Sequence, residues 1–108
     1  MDFSVYQAAT SNTAIYADDV ALVYTTMGLA SEAGEVAGKV KKAIRDNGGI
    51  VDDERRLQIV DELGDVLWYA ARLADALGVD MNDVARLNLE KLSSRKQRGV
   101  ISGDGDKR

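Results

Sequence analysis

The sequence predicts an all-α fold, a four-helix-type bundle, on three observations. It contains no proline. Strong helix formers dominate, without the aromatic and β-branched enrichment of a sheet protein. Apolar residues recur at helical spacing along most of the chain.

The first candidate helix runs from about Phe3 to Tyr16, with Asp2 as N-cap and Phe3, Tyr6, Ala9 and Ile15 on one side. A second runs from about Asp19 to Asp46. Its stripe is Leu22, Leu29, Val36, Val40 and Ile44, Asn47-Gly48-Gly49 is its stop, and a break at Gly28 is open because glycine weakens a helix interior. Asp52 or Asp53 caps a third helix that reaches Leu77 and stops at Gly78, striped by Ile59, Leu63, Val66, Ala70, Leu73 and Leu77. Asp80 caps the fourth, which places Val84, Leu87 and Leu92 inward and ends near Arg98-Gly99. Residues 1–100 thus read as one helical domain, and the glycine-rich, charged residues 101–108 as a loose tail.

At 108 residues with 45% apolar content the chain is long enough for one core. Without cysteine or histidine it has no disulfide, no thiolate or imidazole metal site and no histidine base. A net charge of −4 argues against a nucleic-acid polymer as partner. With neither a leader-like start nor a run of about 20 apolar residues, the expectation is a soluble, cytoplasmic protein that does not enter a membrane.

Chemistry concentrates in two acidic pairs, Glu32-x-x-Glu35 and Glu62-x-x-Asp65, each three residues apart and so on one helix face. At about 100° per residue, each pair lies on the same shoulder of its helix's apolar stripe. If the two stripes pack antiparallel, the four carboxylates meet on one flank. Two ionised carboxylates about 5 Å apart repel by about 3 kcal/mol at an effective dielectric of about 20, so the cluster needs cations or protons. All-oxygen ligands select Mg2+, Mn2+ or Ca2+. The alternative is solvated acids on two helix faces.

Lys39 is either an i,i+4 partner of Glu35 or a substrate contact. Lys91 and Arg95 either complement the last helix's dipole or bind a polyphosphate. Trp68 and Tyr69, directly after the second acidic pair, either pack in the core or stack on a base. Gly28, Gly34 and Gly38 permit close helix packing or ligand approach. Leu22, Val23 and Met27, with Ala30, Ala33 and Ala37, make the second helix apolar beyond one face, which predicts burial against another subunit.

In these segments the chain resembles the MazG-type branch of the all-α nucleoside triphosphate pyrophosphohydrolases. The matching words are GLASEAGEVAGKVKKAIRD, DELGDVLWYAARLADALG, NLEKLSSRKQRG and GDGDKR, with 26 residues between Glu35 and Glu62. The resemblance implies Mg2+ (or Mn2+) on Glu32, Glu35, Glu62 and Asp65, with Asn88, Lys91 and Arg95 near the substrate's phosphates. It also implies hydrolysis of nucleoside triphosphates to monophosphate and pyrophosphate, Glu35 or else Glu32 as the base, and homodimers or homotetramers whose subunits complete the pocket. Phosphoribosyl-ATP pyrophosphohydrolase, in the same superfamily, and a non-catalytic nucleotide-sensing or interaction module are the alternatives.

Overall fold

The computed structural model describes residues Met1–Arg108 as four α-helices without strands: α1 (Phe3–Thr10), α2 (Ala21–Asn47), α3 (Asp53–Ala76) and α4 (Met81–Gln97). The caps fall where the sequence places them. The side chains of Asp2, Asp52 and Asp80 accept from the backbone N–H groups of Val5, Arg55 and Asn82, satisfying donors that a helix start otherwise leaves open. Gly48 closes α2 at φ 61°, a left-handed geometry that glycine adopts without steric cost. No helix is long and apolar enough to cross a membrane.

The first segment departs from expectation. α1 stops at Thr10 and gives way to a 3-10 turn at Ser11–Thr13, and Ile15 is 92% exposed. Ser11 and Thr13 each turn a hydroxyl back to a carbonyl three residues earlier, a local bond that competes with helix continuation. The inward side of α1 is polar: Gln7 and Thr10 are its buried residues.

α2 runs unbroken through Gly28 and packs along α3 as an antiparallel hairpin closed by the Gly48–Asp52 turn. The Tyr69 ring takes up the space beside Gly28, where a Cβ would lie 2.1 Å from its Cε1. Gly28 therefore serves close packing, whereas a Cβ at Gly34 or Gly38 would meet nothing within 4 Å.

Buried polar side chains dock α1 onto this hairpin. The Gln7 amide donates to Val79 O (2.9 Å) and Ala71 O (3.5 Å), and its oxygen accepts from Met81 N–H (2.9 Å), joining α1 to the α3–α4 corner. Buried Arg72 donates to Tyr16 Oη, Thr10 Oγ1 and Asp75 Oδ2, tying the segment after α1 to α3.

α4 packs on α1 and on the C-terminal end of α3, not lengthwise on the α2–α3 hairpin. The four helices thus form an open arrangement, with a radius of gyration of 16.7 Å where a closed domain of this length has about 13 Å. Only Ala43, Ala71, Ala74 and Met81 are buried apolar residues, and Val84, Leu87 and Leu92, expected inward on α4, are exposed. The tail, expected as loose, folds back on the end of α4 through hydrogen bonds. Arg95 Nη2 donates to Asp106 O (2.7 Å), Arg98 Nη2 to Arg108 O (2.9 Å), and the Arg108 guanidinium to the carbonyls of Val100, Ile101 and Gly105.

Candidate metal centre and active site

Antiparallel packing of α2 on α3 brings three of the four motif carboxylates together. One oxygen each of Glu32, Glu62 and Asp65 lies within 4.8 Å of the others, with the two glutamates half-buried and Asp65 exposed. Glu35 stands outside this group and is exposed. With the helices registered by the Gly28–Tyr69 contact, Glu32 is level with Asp65 and Glu35 with Glu62.

Partial burial, then the negative charges of Asp65, Glu62 and Glu35 and a hydrogen bond shared with Glu62, hold the Glu32 carboxyl above its ordinary value. No lysine or arginine is among the groups acting on it. A repulsive trio made only of hard oxygen donors fits a divalent cation of the magnesium kind, which would replace a shared proton. The lack of imidazole and thiolate makes zinc a poor fit.

Two tyrosines flank the trio. On α1, burial and then the charge of Asp65 raise the Tyr6 phenol. Tyr69, one turn after Asp65, is raised by a hydrogen bond with Tyr24, then by burial and the charges of Tyr24, Glu32 and Asp65.

The family profile described as the MazG nucleotide pyrophosphohydrolase domain matches residues 23–100, a span that holds both acidic pairs and α4. The chain belongs to this MazG family. Its members act on nucleotides as pyrophosphohydrolases. Among similar proteins, Gene 37 protein of Mycobacterium phage L5 is 51% identical over 114 aligned positions covering all of both chains. The Bacillus subtilis (strain 168) protein YvdC is 36% identical over 72 positions, covering 62% of this chain and 68% of its own. No solved structure matches the chain.

In this MazG chain none of the other sequence-predicted residues hydrogen-bonds or ion-pairs with Glu32, Glu62 or Asp65. Lys39 is half-buried and makes no ion pair with Glu35. Trp68 donates its indole N–H to Thr13 Oγ1 (2.9 Å) and stands edge-on to Tyr16 and Tyr69, so its ring is packed. Asn88 and Lys91 are exposed on α4, Asn88 beside an apolar hollow lined by Phe3, Met81, Val84 and Ala85. Arg95 is buried under the tail, its Nε without a partner. α4, which carries these three residues, packs mainly on α1 and α3 and not on α2, where Glu32 sits.

Reasoning from the sequence singled out Tyr69 beside Trp68 but not Tyr24 and Ser31, which lie across from it on α2. The signal was available: Gly28 lies one turn before Glu32 and Tyr69 one turn after Asp65, which are facing positions in an antiparallel pair.

Proposed function

We propose that this protein hydrolyses nucleoside triphosphates, ribo- or deoxyribo-, to the monophosphate and pyrophosphate in a Mg2+-dependent reaction. The observation that carries the reading is the convergence of Glu32, Glu62 and Asp65, unrelieved by any cation, inside a MazG domain. These residues, joined by Glu35, would hold the Mg2+ or Mn2+. Bound there, the ion neutralises charge on the phosphates and acidifies water near it.

The remaining chemistry falls to the protein's own groups. Water attacks the α-phosphorus, the bond to the oxygen bridging the α and β phosphates breaks, and pyrophosphate leaves. A carboxylate takes the water's proton, Glu35 first and Glu32 second, because the chain has no histidine. Lys91 and Arg95 hold the departing pyrophosphate, Asn88 orients the nucleotide and Lys39 adds positive charge beside the phosphates. Trp68 supports the nucleotide pocket from behind Tyr69.

A working site then requires a second copy of the chain. Asn88 and Lys91 project from a helix that leaves its own hairpin, with Arg95 one turn on beneath the tail, and the apolar faces of α2, α3 and α4 lie uncovered. Assembly as a homodimer or homotetramer covers these faces and carries α4 of one subunit to the carboxylates of another.

A pyrophosphate-release assay over ribo- and deoxyribonucleoside triphosphates, with Mg2+ titrated from zero, tests the reading. Monophosphate and pyrophosphate in equal amounts, only with the ion present, is the expected result. Nucleotide binding without turnover at any Mg2+ concentration would overturn it in favour of a sensing module.

A further inference from the structure

Beside the acidic trio lies a notch of about 250 Å3 between α2 and α3, lined by Tyr24, Met27, Gly28, Ser31 and Tyr69. Ser31 immediately precedes Glu32, and Tyr69 follows Asp65 by one turn, so the notch adjoins the carboxylates on both helices. Its two rings, Tyr24 and Tyr69, have centroids 6.2 Å apart at 44°. Each is braced from outside the notch. Tyr16 stands 4.8 Å from Tyr24, and Trp68 meets Tyr69 edge-on at 4.9 Å.

No lysine or arginine lines the notch, so its surroundings suit a neutral, planar group and not a phosphate. Exposed Met27 adds a flexible apolar wall. The Ser31 hydroxyl can donate or accept on the rim, where the edge of a planar heterocycle would stand.

We infer that the Tyr24–Tyr69 notch seats the nucleobase, the tyrosine rings and Met27 enclosing it and Ser31 reading its edge. This rests on the pyrophosphohydrolase reading, which puts the phosphates on the adjoining carboxylate site and leaves the base one helical turn away. It moves base contact from Trp68, whose indole is engaged by Thr13, to the tyrosines that Trp68 and Tyr16 support. Substrate selectivity among bases then depends on Ser31 and Met27, and general nucleotide affinity on the rings.

Calorimetric titration in Mg2+ tests the assignment without needing turnover, with nucleoside monophosphates as ligands and inorganic pyrophosphate as the base-free probe. Tyr24→Leu should weaken monophosphate binding about tenfold or more, while Tyr24→Phe keeps the ring and the affinity. Neither should change pyrophosphate binding. Ser31→Ala should reorder the affinities of the four common bases. If Tyr24→Leu does not fold, Met27→Gln, at a position 66% exposed, is measured in its place with the same expectation. Equal loss for monophosphate and pyrophosphate, or no loss for either, would overturn the base seat. A wild-type protein that binds monophosphates through Tyr24 yet releases no pyrophosphate from triphosphates would sink the hydrolytic reading alone.

Discussion

The ring of Tyr69 on α3 lies against the backbone of Gly28 on α2, so close that a methyl group there would fall 2.1 Å from Cε1 and 2.4 Å from Cδ1. That contact sets the register of the hairpin and makes Glu32 level with Asp65. An alanine at 28 gains about 1 kcal/mol of helix propensity but must displace a ring held by Tyr24 and Trp68. Overpacking costs about 1–3 kcal/mol, so Gly28→Ala should be net destabilising by up to about 2 kcal/mol in a urea melt. Gly34→Ala, with open space around it in the single chain, should instead stabilise by about 1 kcal/mol unless a partner subunit covers it.

Gln7 is the second structural test. Its amide satisfies Val79 O and Met81 N–H at the corner that sets the direction of α4. Gln7→Ala strands both groups in a buried place and should cost about 1–3 kcal/mol, measured by chemical denaturation. Loss of less than about 0.5 kcal/mol would mean that the corner holds itself without α1.

These two residues also mark the limit of what the sequence discloses. Helix starts were legible because a cap is local: Asp2, Asp52 and Asp80 act on donors two or three residues away. The acidic pairs were legible for the same reason, since i,i+3 spacing fixes a shared face. Gln7 and Arg72 were not, because their partners lie 55 or more residues distant for every contact but the Arg72–Asp75 pair. Glu35 shows a third kind of gap. Helical geometry puts it on the same shoulder as Glu32, yet its carboxylate stands outside the trio, which the spacing alone does not disclose. Nor does it disclose the outward course of α4, which α1 determines through contacts distant in sequence.

Assembly is the third prediction. One chain leaves Leu22, Val23, Met27, Leu57, Val60 and Leu63 more than half exposed, an apolar surface of the kind that a second subunit covers. Light scattering at micromolar concentration should give at least twice the 11.7 kDa of one chain. A value of one chain mass throughout would refute both the oligomer and the shared site.

Magnesium dependence separates a ligand from a structural acid. Glu62→Gln removes one charge from the repulsive trio, so the metal-free variant should melt at the same temperature as wild type or higher. Turnover should fall about 100-fold or more, and the rise in melting temperature on adding Mg2+ should shrink. A variant that keeps both its activity and its full Mg2+ shift would remove Glu62 from the metal site.

The Glu32 carboxyl yields the last prediction, in which the sign is the test. Its folded-state pKa is raised, by partial burial first and then by Asp65, Glu62 and Glu35. The folded state therefore holds this proton more tightly than the unfolded chain, whose glutamate titrates near about 4.3. Glu32's contribution to stability is complete below that value and is lost as pH rises through the raised folded value. Asp80 works in the opposite sense. The Ser4 hydroxyl and the Asn82 N–H lower its pKa, so its contribution is present above its ordinary range and fades as pH falls through the lowered value. Comparing wild type with Glu32→Gln cancels the Asp80 effect, because both proteins carry it. In metal-free buffer the variant should gain on wild type as pH rises from about 4 to about 7, and Mg2+ should reverse the gain by binding the ionised trio of the wild type. A stability difference that stays constant across that range would show that Glu32 does not feel its neighbours' charges.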